Sequence, residues 1–304
     1  MDTATTARID FRAMGTDCAI EVWAPAQAEK LAQLARTRVE ILEQCWSRFR
    51  ATSELSLLNA RAGQGPLEVS EDLSTLVVAM KRAWEITTGA FDPTVGTAMR
   101  TWGYDVTFSD VISRDYSAQV FPQPAPGMGG VVIDGCTVEL PSGIELDPGA
   151  IGKGLAADIV AREIHATGAT GILVDLGGDI VVRGRPGTDT WRIAVTDERT
   201  PDTVVHTFEI TDEHAGIATS SVLRRRWAGT RHHVIDPVTG AIADTGAVQV
   251  TVVAPTGADA EVIATAALLD RDPEHVFARH NVTGIALHPM SSTQTLHLSE
   301  SAHE

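Results

Sequence analysis

Cysteine is scarce in this chain. Its 304 residues hold three, Cys18, Cys45 and Cys136, far apart and odd in number, and they show no disulfide framework or metal-ligand spacing. They read as small buried hydrophobes of a reducing compartment. Positive charge is short as well. Lys and Arg number 24 against 40 Asp and Glu, a formal charge of −16, the opposite of the balance expected of a nucleic-acid backbone binder. An anionic ligand would have to be met locally, by helix starts, a few cations or a divalent metal. No apolar run is long enough to span a membrane. The opening MDTATTARIDFRAMG has no basic segment followed by an apolar one, so no signal peptide is read and a cytoplasmic protein without membrane insertion is the expectation. Familiar phosphate and metal signatures are also missing: no G-x-G-x-x-G after the first strand, no G-x-x-x-x-G-K-[ST] and no H-E-x-x-H. Residues 149–154 place Lys153 between glycines but lack the hydroxyl residue that a P-loop needs on its metal. Residues 216–221 are not a nucleophile elbow.

What is present is 43% hydrophobic content, enough for a large core in one or two domains, and one dense stretch, residues 145–184. There a strand end and turn, Leu146-Asp147-Pro148-Gly149, leads into glycines 149, 152 and 154. Leu155, Ile159, Val160 and Ile164 follow at helical spacing, and residues 172–176 form an apolar run suited to a strand buried on both faces. Grouped glycines let a ligand approach backbone, and a helix start offers free amides to an anion; tight packing alone would use glycines in the same way.

Elsewhere, residues 1–10 read as a flexible segment. Phe11 and residues 20–23 read as the ends of a strand pair around Met14-Gly15-Thr16. Leu31, Leu34, Ala35, Leu42, Cys45, Trp46 and Phe49 predict an amphipathic helix over 26–49. A short helical piece starts at Ser53-Glu54-Leu55. Ser70 predicts the cap of a helix with Glu71 and Asp72 in its first turn. Residues 88–103 read as a loop lining a site, and 105–127 as a variable excursion. A hairpin is predicted over 131–134 and 137–140, strands over 191–195, 203–210, 248–254, 285–288 and 295–298, and an Ala-rich helix over 257–270. Residues 299–304 read as a tail. Helices alternate with strands and hairpins, giving an α+β (mixed α/β) class, with 11–298 read as a single domain.

Eight short motifs, taken in order, resemble one family. They are Met14-Gly15-Thr16; Glu54-Leu55-Ser56-Leu57-Leu58-Asn59; Phe91-Asp92-Pro93-Thr94-Val95-Gly96 with Trp102-Gly103; the 146–154 stretch with Asp158; Val174-Asp175-Leu176-Gly177-Gly178-Asp179; Ala218-Thr219-Ser220; His233-Val234-Ile235-Asp236-Pro237-Val238-Thr239-Gly240; and Glu261 with Thr265. This pattern resembles the FAD:protein FMN transferases, the ApbE-like flavin transferases, from about Phe11 to Leu298. The resemblance implies a T-fold-related core with a mixed or antiparallel sheet, packed helices and a flavin cleft. It implies transfer of FMN from FAD to a Thr or Ser hydroxyl of a target protein, with a phosphoester formed and AMP released. It also implies magnesium near the diphosphate, and a target carrying an Asp-x-x-(Ser/Thr)-Gly-Ala-(Ser/Thr)-type motif.

Carried over residue by residue, the resemblance places the metal on the Ala150 carbonyl, Glu261 and Thr265. Relatives more often have Asp where Glu261 stands. Glu261 and Thr265 are four apart and share a helix face, and oxygen donors suit a hard ion. The other reading makes Glu261 a solvated helix residue, with Asp259 or Asp147 taking its part. His233 is the general-base candidate, or else a structural histidine. Lys153 can offset anionic charge, and Asp236 is catalytic or orders its loop. Met14, Phe49, Asn59, Trp102, Gly103, Asp158, Asp179, Thr219 and His233 are the flavin or adenosine candidates, with plain core the other reading for Met14, Phe49 and Trp102. Arg224, Arg225 and Arg226 could contact phosphate, meet an acidic target or be a solvated face. The same site could hydrolyse FAD to FMN and AMP, or bind flavin without catalysis.

Overall fold

The computed structural model describes residues 5–116, 120–289 and 294–297. The chain opens with a hairpin, β1 (Thr5–Ala13) and β2 (Thr16–Ala24), and continues into helices α1 (Ala28–Trp46) and α2 (Glu54–Ala60). Strand β3 (Leu67–Glu68) precedes α3 (Glu71–Ile86), whose Ser70 side chain accepts from the Leu73 amide. A 3-10 turn, Pro93–Val95, runs into α4 (Gly96–Thr101), and α5 (Phe108–Val111) follows. Strands β4 (Val132–Asp134) and β5 (Thr137–Glu139) form the expected hairpin. Next come α6 (Gly152–Ala166), β6 (Gly171–Leu176), β7 (Ile180–Gly184), β8 (Trp191–Asp197) and β9 (Thr200–Ile210). The chain continues through β10 (His214–Ser221), β11 (Arg226–Trp227), β12 (Arg231–His232), β13 (Gln249–Ala254), α7 (Gly257–Leu269) and α8 (Pro273–His280) to β14 (Thr283–Leu287) and β15 (Gln294–His297).

Eight strands make one sheet in the order β1-β2-β6-β7-β10-β13-β14-β15, with every neighbouring pair antiparallel. The mixed α/β class and packed helices match the expectation. One face of the sheet carries the helices: Ile20, Val22, Ile172, Val174 and Leu176 are buried with residues of α1, α3 and α6. The other face is covered by the β8–β9 ribbon through Trp191, Ile193, Val195, Phe208 and Ile210. That cover is why β6 reads as apolar on both sides.

Two expectations need correcting. Residues 5–10 belong to β1, because Ala7, Ile9 and Phe11 alternate inward and pack against the helical core. Residues 88–103 are not all loop: the Asp92 carboxylate accepts from the Thr94 amide at 2.8 Å and starts the 3-10 turn that continues as α4. Residues 216–221 are most of the inner strand β10. The excursion at 105–127 contains α5 and is fastened by Ala125 N donating to Pro237 O at 2.8 Å. Residues 117–119 and the expected tail at 299–304 lie outside the described residues.

Glycine decides one contact. A Cβ on Gly154 would collide with the Gly257 carbonyl, so the starts of α6 and α7 meet backbone to backbone. That approach sets Lys153 beside Glu261. Helix α7 has buried residues all round, as expected of a helix inside a core rather than on its surface.

Candidate active site

A cleft of about 940 Å³ opens between the sheet, the β8–β9 ribbon and the 88–108 segment. Its floor is the start of α6. Lys153 Nζ is ion-paired with both Asp179 and Glu261, lying 2.6 Å from Glu261 Oε1. The second Glu261 oxygen accepts from the Gly154 amide at 2.8 Å. Burial alone would lower the Lys153 pKa, but Asp179 and Glu261 outweigh it and hold the ammonium charged. Burial pushes the Glu261 carboxyl up, Lys153 pulls it down and Asp179 adds to the rise. One turn along α7, Thr265 Oγ1 shares a hydrogen bond of 2.9 Å with Ser220 Oγ, and Thr219 and Thr251 share one of 2.8 Å.

Glu261 is 3% exposed, which overturns its reading as a solvated helix residue. Asp259 pairs with Arg82 instead. Asp147 does line the cleft, but its carboxylate is engaged by Arg48 at 2.9 Å and by the Gly149 amide at 2.8 Å.

Besides Asp147, Arg224 and Arg225, nine of the sequence candidates line this cleft: Met14, Phe49, Ala150, Lys153, Asp179, Thr219, His233, Glu261 and Thr265. Five do not, and each has structural employment. Asn59 splints the turn, exchanging hydrogen bonds with Leu146 N and O, both 2.9 Å. Asp158 accepts from Gly257 N at 2.8 Å and Ala258 N at 2.9 Å, closing the free amides at the start of α7. The Trp102 indole donates to Gly240 O at 2.8 Å. Gly103, at φ 93°, has no room for a side chain against Tyr116. Asp236 binds Val238 N at 2.9 Å and Thr239 Oγ1 at 2.8 Å, so it orders a turn. In this structure Asp158 braces the start of α7, and Asp236 orders its loop, the second of its two sequence readings.

His233 faces the cleft with its ring half-buried, and Nδ1 is sealed without a hydrogen-bond partner among the described residues. Burial, reinforced by Arg225, His232 and Lys153, pushes its pKa down to about 3. The free protein therefore holds this ring neutral: able to take a proton, but a weaker base than an ordinary histidine.

Sequence reading missed Arg48. Besides Asp147, it donates to Tyr104 O at 2.7 Å and lies over the rings of Phe49 (4.1 Å) and Tyr104 (4.8 Å). It joins the end of α1, the glycine turn and the 104 segment. Nothing in its local sequence marks it, because its polar partners, Tyr104 and Asp147, are distant in the chain.

The oxygen donors on the floor fit a hard cation. Among the described residues no three His, Cys, Asp or Glu side chains group as a metal site, so hydroxyl, carbonyl and substrate oxygens would have to complete one. No helix among the described residues is long and apolar enough to cross a membrane.

Known proteins are similar to this chain in sequence and in fold. An FAD:protein FMN transferase of Treponema pallidum is 31% identical over 278 residues, covering 83% of this chain and 75% of that protein. One from Klebsiella pneumoniae is 29% identical over 270 residues, covering 85% and 77%. Among solved structures, the Pseudomonas stutzeri flavinyl transferase ApbE superposes with a TM-score of 0.78 at 20% identity, covering 96% of this chain and 94% of that one. The Thermotoga maritima ApbE protein gives 0.78 at 22%, covering 98% of each. These two establish the shared fold. The ApbE family model matches residues 14–283, and the chain belongs to the ApbE family.

Proposed function

We propose that this chain is an FAD:protein FMN transferase, moving FMN from FAD onto a Thr or Ser hydroxyl of a target protein and releasing AMP. The observation that carries the reading is the cleft floor: an open glycine turn beside Lys153, Asp179, Glu261 and Thr265, with His233 facing the same space. The acceptor Oγ attacks the phosphorus of the FMN half. The bond from that phosphorus to the oxygen of the AMP half breaks, and AMP carries that oxygen away. The hydroxyl proton passes to His233, whose neutral ring has the capacity for it. Phe49, which is 40% exposed, and Met14 offer apolar surface for the flavin ring. Thr219 offers a hydroxyl.

Magnesium would be held by Glu261, Thr265 and the Ala150 carbonyl. When bound it would offset charge on the diphosphate and its leaving group. The proposed partner is a protein with an Asp-x-x-(Ser/Thr)-Gly-Ala-(Ser/Thr)-type acceptor. The three free cysteines suit the cytoplasm as the proposed place of action.

The test is a mass spectrum of such an acceptor domain after incubation with this protein, FAD and magnesium. The expected product is heavier by one FMN, and it is lost with EDTA and in Glu261→Ala. AMP and free FMN without an adduct would make the chain an FAD hydrolase. FAD bound without either product would end the catalytic reading.

A further inference from the structure

Five Lys or Arg side chains line the cleft: Arg48, Arg50, Lys153, Arg224 and Arg225. Four have carboxylate partners. Arg48 holds Asp147, Arg50 lies 3.6 Å from Glu43, Lys153 bridges Asp179 and Glu261, and Arg224 reaches Glu198 at 2.8 Å. Arg225 has no hydrogen-bond or ion-pair partner among the described residues. In a chain of charge −16, a half-buried cation without a carboxylate partner stands apart from the other four that line this cleft.

The backbone keeps Arg225 there. It sits at φ 47°, as does Ala228, in the left-handed region that is costly for residues with side chains. Its neighbours are fastened: Arg226 Nη1 donates to Val222 O at 3.1 Å, the buried Trp227 donates its indole N–H to Trp102 O at 3.3 Å, and β11 pairs with β12. The segment therefore presents one arginine of the three to the cleft without a partner, while Arg226 is exposed and bound to backbone. Arg225 also lies close enough to His233 to act on its charge, alongside Lys153. Arg225 and Lys153 thus share the neighbourhood of His233, but the Lys153 charge is already consumed by two carboxylates.

We infer that Arg225 is the phosphate-binding residue of this cleft, its guanidinium meeting the phosphoryl oxygens of the bound nucleotide. A planar fork of N–H donors fits such oxygens in pairs, and a cation placed where phosphoryl charge shifts assists transfer as well as binding. This assignment rests on the proposed use of FAD. It gives Arg225 the charge-offsetting part that the sequence suggested for Lys153, and leaves Lys153 to hold Glu261 and Asp179 in place.

Flavin fluorescence titrations test it, with FAD and with the phosphate-free riboflavin, on the full chain and on Arg225→Gln and Arg225→Lys. Arg225→Gln is expected to weaken FAD binding at least tenfold and riboflavin binding less than twofold, with Arg225→Lys between. The difference from wild type should shrink as salt is raised. Unchanged FAD affinity in Arg225→Gln overturns the assignment, including the case where only the KM for the acceptor rises, which would make Arg225 an acceptor contact. Equal loss of FAD and riboflavin also overturns it, by making Arg225 a support of the cleft wall. Wild-type protein that binds no FAD removes the FAD reading itself, a failure visible before any variant is compared.

Discussion

Glu261 and His233 show how much a single residue's meaning depends on its surroundings. The spacing of Glu261 and Thr265 was legible in the sequence because four residues is one helical turn. Whether Glu261 faced solvent was not, since that depends on α6 crossing α7 at Gly154. The histidine was legible as a chemical type, but its pKa was not, because the depression to about 3 comes from burial and from cations elsewhere in the fold. That depression has a consequence for the ligand-free protein. Between pH 6.5 and about 3 the unfolded chain takes up a proton at His233 that the folded chain refuses. The contribution of this site to stability is therefore intact above 6.5 and falls as pH drops through that value. His233→Gln should flatten the fall in denaturation midpoint between pH 7 and 5 relative to wild type. Parallel curves for the two proteins would show that the ring is not held neutral. The same variant should lose on the order of 100-fold in transfer rate if the ring takes the acceptor proton, and a loss under threefold would remove it from that step.

Elements were legible where their signal is local. Helices α1, α3 and α6 follow from three-and-four spacing and from caps such as Ser70, whose hydroxyl accepts the Leu73 amide at 3.2 Å, and α7 from its run of alanines. Strand β10 was not legible: Gly216 stands where a Cβ would strike the start of α7, and covering on both faces removes the polar alternation of an exposed strand. Helix α8 was missed too, although Asp272 and Pro273 are an ordinary start. The α6–α7 junction carries two predictions. Gly154→Ala forces the helices apart against backbone that cannot yield like a side chain, so a loss near the upper end of the ~1–3 kcal/mol for overpacking is expected in denaturant titration. A neutral result would mean the crossing is looser than described. Asp158→Ala uncovers two amides of α7 and should cost about 1–2 kcal/mol. FAD affinity, measured well below the unfolding midpoint, should change less than twofold. A large loss of affinity at unchanged stability would return Asp158 to the ligand-binding set.

At the scale of the molecule, the cleft is where four apolar clusters meet. Trp46 belongs to the core between the helices and the sheet, Leu268 to the one around α7, Ile193 to the ribbon and Tyr104 to the cluster of α4 and β11, and all four residues line the cleft. The sequence marked many of the cleft's chemical groups through the glycine turn and the late helix, but not this convergence, which arises from long-range antiparallel pairing of strands far apart in the chain. A ligand that fills this cleft would meet residues of all four clusters, so its binding should be felt by the whole fold rather than by one lobe. At a hundredfold excess over Kd, FAD should add about 2.7 kcal/mol of stability, roughly 5 °C in Tm for a chain of this size, as one cooperative transition. Riboflavin at the same concentration should raise Tm less, since it brings no phosphate to Arg225. Calorimetry of the free and FAD-bound protein checks this. A shift confined to part of a split transition would mean the clusters melt separately and the cleft does not couple them. An equal rise with riboflavin would place all of the binding energy on the ring and none on the diphosphate.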